Sequence, residues 1–154
     1  MKKLRLLAVG LLVAITAYSC SDDDDAVSVN GNATAVANNL KSGTWRITEF
    51  VDDGVDRLPE VAAYDFTFGA NGVVTATDGE MTYTGTWSVD DDHDDDNDDD
   101  GFDSDIDLDI AFASPLEFAN LNDDWDVIER TGIRIRLADD DDDDDVDYLT
   151  FEKN

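Results

Sequence analysis

The sequence predicts an all-β protein, an eight-stranded antiparallel up-and-down barrel that follows a signal peptide and a flexible tether. Three observations predict the barrel. Beyond residue 40, eight short segments are rich in strand-forming residues, and the clearest of them alternate apolar and polar side chains. Turn sequences such as Asn71-Gly72 and Asp78-Gly79 join neighbouring segments. No segment there has a helical period over ten residues or more, so hairpins that close into a barrel are favoured, because closure leaves no exposed edge.

The first 19 residues are typical of a secretory signal peptide. A basic start, Met1–Arg5, precedes an apolar run at 6–17, which is shorter than the roughly 20 residues of a membrane-spanning helix. Residues 17–20, Ala-Tyr-Ser-Cys, then resemble the lipobox of bacterial lipoproteins. The resemblance implies that Cys20 is acylated and anchors the mature protein to a membrane through its acyl chains. The alternative is a buried free cysteine after an ordinary signal peptide.

Residues 20–39 are predicted to form a lipidated acidic tether. Asp22–Asp25 place four carboxylates in a row, and such a run stays solvated. An acidic stretch directly after a lipidated cysteine resembles the signal by which one Gram-negative phylum exports lipoproteins to the outer face of the outer membrane. We therefore expect a lipid-anchored outer-membrane protein that faces the cell exterior. The simpler alternative is a solvated tether that is not an export signal.

Residues 40–154 are predicted to form a single barrel domain. The alternation is cleanest at Ile106–Phe112, where Ile, Leu, Ile and Phe share one face. Residues 55–61, which include Pro59, are expected to be irregular, and a short turn of helix or loop is expected over 115–121. The eight predicted strands are Thr44–Val51, Tyr64–Phe68, Val73–Thr77, Met81–Val89, Ile106–Phe112, Trp125–Arg130, Ile133–Leu137 and Tyr148–Phe151.

Strand alternation also predicts which side chains form the core. Successive side chains point to opposite faces, so one register error would reverse a whole strand. The residues expected to be buried are Trp45, Phe66, Leu108, Ile110 and Leu149, and those expected to face water are Asp107 and Asp109.

The motifs of the barrel segment resemble those of a known family. Gly43-Thr44-Trp45 opens the first strand and resembles the Gly-x-Trp signature of lipocalins, and the region from 43 to 152 is similar to lipocalin-like domains of surface lipoproteins. The other motifs that carry this similarity are Tyr64–Phe68, Asn71–Val74, Gly85–Trp87, Leu121–Trp125 and Leu149–Phe151. The resemblance implies a late arginine, Arg134 or Arg136, packed across Trp45.

Two functions are expected from these patterns. The resemblance to lipocalins implies a surface-anchored lipoprotein that binds a small apolar molecule or a glycan. The alternative is a non-enzymatic structural or interaction lipoprotein with a packed barrel and acidic, cation-binding loops. Aromatic residues at alternate strand positions more often form a core than a ligand box. An open interior would favour the first function and a filled interior the second. The sequence leaves the oligomeric state open.

Two runs of aspartate provide the candidate metal site. Residues 90–100 contain nine Asp and residues 139–145 contain seven. Asp96, Asp98 and Asp100 alternate before Gly101, as in an oxygen-ligand calcium loop, and Asp107 holds the twelfth place. The alternative is a pair of solvated loops that attract divalent ions diffusely. The two runs are expected at opposite ends of an eight-stranded meander, separated by far more than the Debye length of about 8 Å.

Composition excludes several other functions. Ten Lys and Arg against 39 Asp and Glu give a formal charge of −29, whereas a nucleic-acid-binding protein needs a positive face. The single cysteine, Cys20, excludes intramolecular disulfides. The single histidine, His93, lies within an acidic run, so neither a histidine-based catalytic triad nor a histidine-ligated zinc site is expected. No phosphate-binding or nucleophile-elbow motif is present, and we predict that the protein is not an enzyme.

Overall fold

The structure is a computed structural model that describes residues 32–91, 106–140 and 145–154. These residues form nine strands and three short helices, joined by turns and loops. The strands are β1 (Thr44–Asp52), β2 (Val55–Asp56), β3 (Asp65–Phe68), β4 (Val73–Thr77), β5 (Thr82–Asp91), β6 (Ile106–Phe112), β7 (Asp123–Arg130), β8 (Arg134–Asp139) and β9 (Asp147–Lys153). The helices are α1 (Ala33–Leu40), α2 (Leu58–Val61) and a 3-10 helix (Leu116–Leu121).

Eight of the strands close into a barrel, as the sequence predicts. From β3 to β9 each strand pairs with the next in antiparallel register, and β3 and β9 both pair with β1. The two-residue β2 lies outside this circuit and pairs with the end of β1 through a tight turn at Asp53-Gly54. Both turn residues have positive φ, 51° and 68°. An aspartate–glycine pair suits such a turn, since glycine adopts positive φ without steric cost.

The connections divide between two ends of the barrel. Helix α1 lies at the end where β1 begins, and we call this the helix end. The β3–β4 and β7–β8 connections lie at the same end, where β5 also ends and β6 begins. The opposite end, which we call the plug end, holds α2, the 3-10 helix and the β4–β5 and β8–β9 connections.

Helix α1 lies within residues 20–39 and Leu40, most of which the sequence predicts to be tether. Val36 and Leu40 are fully buried, and Ala33 and Ala37 pack against the same core. These four residues have the spacing i, i+3, i+4 and i+7, which places them on one face of a helix. The packed part of the chain therefore begins before residue 40.

Two further segments differ in detail from the sequence expectation. Residues 55–61, expected to be irregular, contain β2 and the single turn α2, which begins beside Pro59 and buries Val61. Proline is well tolerated in the first turn of a helix, because its missing N–H has no partner there in any case. The strand predicted to begin at Ile133 begins at Arg134, and the Ile133 side chain lies in the preceding turn, 59% exposed.

The predicted core is confirmed. The five residues expected inside are all buried, and Leu108 and Ile110 alternate with the half-buried Asp107 and Asp109 on β6. The register of β6 therefore matches the one read from the sequence. The largest fully buried side chains are Trp45, Trp125, Phe50, Phe66, Phe118 and Phe151.

Candidate binding surfaces: the barrel interior and the acidic face

The middle of the barrel is filled by aromatic rings in mutual contact. Phe66 contacts the ring of Phe151 edge-on, with centroids 5.5 Å apart, and the ring of Phe118 at 6.0 Å. Phe68 contacts Phe151 and Trp87 edge-on, at 5.5 and 5.3 Å. Edge-to-face contacts at these distances are the preferred arrangement of packed aromatic side chains. These inward-facing rings therefore pack against one another inside the barrel.

The plug end is closed by Phe118 of the 3-10 helix. Its ring is fully buried and lies 4.9 Å from Tyr64, 5.6 Å from Tyr83 and 5.0 Å from Phe112. Partial burial, followed by the neighbouring Tyr83, raises the pKa of Tyr64 above its ordinary value of 10.0. Both tyrosine rings therefore form part of the rim around Phe118.

Asn122 fixes the 3-10 helix to the barrel. Its side chain accepts a hydrogen bond from the backbone N–H of Phe112 at 2.6 Å and donates one to the Phe112 carbonyl at 2.9 Å. The β6–β7 pairing ends at Ile110 and Asp123. Beyond it, the Asn122 side chain makes the two hydrogen bonds with the Phe112 backbone that a neighbouring strand would otherwise make. Phe118 is therefore held in the barrel mouth by a fixed segment.

The helix end is closed around Trp45. The indole N–H donates a hydrogen bond to the carbonyl of Leu40 at 2.8 Å, which joins α1 to β1. The cation over the Trp45 ring in the described part of the chain is Lys153, with Nζ 5.1 Å from the centroid. Neither Arg134 nor Arg136 takes this place: Arg136 lies over Tyr148, and Arg134 pairs with Glu129 and Glu152. The expectation of an arginine across Trp45 is therefore wrong, because Lys153 of β9 lies over the Trp45 ring instead.

An acidic face covers the outside of β6 and β7, and we define it as Asp107, Asp124 and Asp126. Asp107 lies directly opposite Asp126 across the β6–β7 ladder. Like charges directly opposite each other in a sheet are destabilising. Burial, and next the charge of Asp107, raises the pKa of Asp126 to about 7.

A second carboxylate contact lies at the plug end, on the inward-facing side of the strands, where Asp123 registers with the buried Ile110 and Asp139 has the same parity on β8 as the buried Leu137. Burial, followed by the charge of Asp139, raises the pKa of Asp123 to about 7. The β7–β8 register places Asp126 opposite Ala138, next to Asp139. Near neutral pH both carboxyl groups therefore bind protons that an ordinary aspartate has already released.

Most of each aspartate run lies outside the described residues, but β5 ends at the helix end and β8 at the plug end, and residues beside the two runs lie close together. Asp107 and Ala138 are separated only by β7, because both register with Asp126. Two strand spacings place their Cα atoms about 10 Å apart, and the charges of Asp139 and Asp140 also act on Asp126. The separation expected between the runs themselves lies outside the described residues. Tilted, staggered strands bring the end of one strand level with the middle of its neighbour.

Most of the predicted site residues lie outside the described residues. These are Cys20, Asp96, Asp98 and Asp100; of the four predicted calcium ligands, only Asp107 is described, half-buried on β6. Within 32–91, 106–140 and 145–154, no group of three or more potential ligand side chains is placed to hold a metal ion. The same residues include no helix long and apolar enough to cross a membrane.

Sequence reasoning missed the residues that close the barrel ends. Phe118 lies in a segment expected to be a short helix or loop, and nothing in its local pattern indicates that it points inward. The alternation of strands carries no information about such an insertion. For α1 a signal was present in the spacing of Val36 and Leu40, but the segment is only eight residues long.

Comparisons with known proteins give one structural likeness. No protein-family model matches the chain, and no curated protein matches it. Among solved structures, the chain is similar to a DUF4847 family protein from Bacteroides vulgatus ATCC 8482, with 18% sequence identity and a TM-score of 0.47. The match covers 77% of this chain and 97% of that protein.

Proposed function

We propose that this protein is a lipid-anchored, non-enzymatic surface lipoprotein whose packed barrel is a scaffold for recognition on its outer faces. The observation that carries the proposal is the filled interior. Phe66, Phe118 and Phe151 are buried and pack against one another inside the barrel, and buried side chains of α1 and of the 3-10 helix join the same core. Of the two predicted functions, a packed barrel favours the interaction protein over the carrier of an internal apolar molecule.

The anchor in this proposal is Cys20, followed by the acidic residues Asp22–Asp25. Helix α1 begins at Ala33, so about a dozen residues separate Cys20 from the packed domain. An extended chain of that length reaches up to about 40 Å. The domain would therefore stand close to the outer surface of the outer membrane, with its side faces accessible to partners.

The interior is tested with N-phenyl-1-naphthylamine, an uncharged apolar dye that brightens when it is buried. We expect no saturable binding by the wild type, since dye and core side chains would compete for the same volume. Phe118→Ala removes a fully buried ring from the plug end, and this variant should bind the dye with one-site saturation. Circular dichroism of the variant shows whether the barrel remains folded.

The opposite outcome is equally clear. Saturable one-to-one binding by the wild type, lost when the inward Ala76 is replaced by Leu, would place a ligand inside the barrel. Ala76 is fully buried on β4, so the added volume of leucine can act only on the interior. That result would refute the packed-scaffold proposal and show that the protein carries a ligand inside the barrel.

A further inference from the structure

The outside of the barrel is divided into a charged part and an uncharged part. On β7, β8 and β9 the outward positions are mostly acidic or basic; examples are Asp124, Asp126, Arg134, Arg136 and Glu152. On β3, β4 and β5, and at the end of β6, six neighbouring outward positions carry no charge. We call them the uncharged face: Thr67, Val73, Thr75, Thr84, Thr86 and Ala111.

Strand register makes the uncharged face continuous. Thr67, Thr75 and Thr84 lie side by side on three strands. Val73, Thr86 and Ala111 form the next row. Neighbouring strands are about 4.8 Å apart, so each row is a regular line of hydroxyl and methyl groups.

The hydroxyl groups of this face are available to a ligand. Thr67, Thr84 and Thr86 are exposed and Thr75 is half-buried. Their side chains have no hydrogen-bond partner among the residues that the structure describes. A threonine hydroxyl both donates and accepts, and its methyl group offers apolar contact beside the polar one.

An open groove of about 490 Å³ lies on the same face. Its lining includes Val73, Thr84, Thr86 and Ala111, four of the six residues of the uncharged face. Small-molecule sites have a similar volume and combine apolar walls with a few polar groups. The groove therefore has an apolar floor with hydroxyl groups beside it.

Charge and area together select the kind of ligand. Acidic residues border the face, with Asp109 beyond Ala111 and Asp78 in the β4–β5 turn, so an anionic ligand would be repelled. The uncharged face spans four strands in one direction and about five residues, Thr82 to Thr86, in the other, and this corresponds to an area of about 200 Å². A stable protein–protein interface needs about 800 Å² from each partner, and a second copy would also bring its own charge of −29. The face suits a small uncharged ligand.

We propose that the uncharged face binds neutral carbohydrate, with sugar hydroxyls hydrogen-bonded to the threonine rows and sugar C–H groups packed on Val73 and Ala111. This inference rests on the proposed function, because it places recognition outside a packed barrel. The ligand chemistry follows from the face itself: hydroxyl groups of both hydrogen-bonding senses, a small apolar floor and an acidic border that excludes polyanions.

Affinity electrophoresis of the purified protein tests the proposal, with dextran, yeast mannan, inulin or pullulan in the gel as neutral probes and polygalacturonate as the anionic probe. At least one neutral probe should retard the wild type, and polygalacturonate should not. Thr84→Asp should weaken that retardation about tenfold or more. The matched control is Thr48→Asp, the same change at an exposed position on β1, which should leave it unchanged. Ala111→Arg, with the opposite charge, should also lose it.

Three results would overturn the inference. These are retardation by none of the four neutral probes, equal retardation of Thr84→Asp and wild type, or equal retardation by polygalacturonate. The dye experiment separates these failures from failure of the proposed function. A wild type that binds neither carbohydrate nor dye refutes only the carbohydrate assignment. Dye bound inside the wild-type barrel refutes the scaffold itself.

Discussion

Burial of Asp126, together with its contact with Asp107, predicts that the protein loses stability as the pH rises toward neutrality. The pKa of Asp126 is about 7 in the folded protein, against 3.8 for an ordinary aspartate. Between these two values the folded state holds a proton that the unfolded state has released. The free energy of unfolding therefore falls as the pH rises from about 4 to about 7, and it levels off above that.

Asp126→Asn isolates this effect, because asparagine resembles the protonated aspartate in shape and charge. A pKa shift of this size corresponds in full to about 4 kcal/mol. Solvent reaches the half-buried pair and screens part of the repulsion, so we expect the variant to gain about 1–2 kcal/mol at pH 8. At pH 4 the variant and the wild type should be about equally stable.

Urea unfolding followed by tryptophan fluorescence measures this difference, because Trp45 and Trp125 are buried in the fold. The control is Glu80→Gln, which removes one charge from an exposed turn between β4 and β5 and should leave the pH dependence as in the wild type. Equal pH profiles for Asp126→Asn and wild type would refute the argument. A gain at pH 8 shared by Glu80→Gln would show that net charge, and not the Asp107–Asp126 contact, is responsible.

Three further predictions concern the anchor, the metal and the core. Cys20→Ala should release the protein from the membrane fraction and abolish labelling by a fatty-acid precursor, whereas Ala at Asp22–Asp25 should leave it anchored but protected from added protease. Calorimetric titration should show weaker calcium binding for Asp98→Ala, Asp100→Ala than for the wild type; equal binding would leave only diffuse attraction. Phe118→Ala should lower the free energy of unfolding by about 3–5 kcal/mol in urea, since its ring meets four other aromatic side chains; a loss below about 1 kcal/mol would show that it does not plug the barrel.

The strands could be predicted because each carries its own signal. Ile106–Phe112 alternates without interruption, and the alternation alone fixes which face is buried. Turn residues with positive φ, such as Gly72 and Gly79, mark the hairpins. Antiparallel order then follows from short connections, so the closed meander needs little beyond local pattern.

The side chains that close the barrel could not be predicted from local sequence pattern. Phe118 enters the mouth from a segment without strand period, and Asn122 holds it there through contacts with the backbone of Phe112. Both depend on tertiary position. The uncharged face was equally hidden, because Thr67, Thr75 and Thr84 are far apart in sequence and become one row only through register.

The same distinction between connection order and register governs the two acidic runs. Counting connections places the ends of β5 and β8 at opposite ends of the barrel, but this count treats the strands as level with one another. In a barrel the strands are staggered, and Asp126 registers with both Asp107 and Ala138. Asp107 and Ala138 thus lie on either side of Asp126, about 10 Å apart. Burial, and then the charges of Asp107, Asp140 and Asp139, raise the pKa of Asp126, so a change of pH or salt that alters the charge of one of these groups also alters the protonation of Asp126.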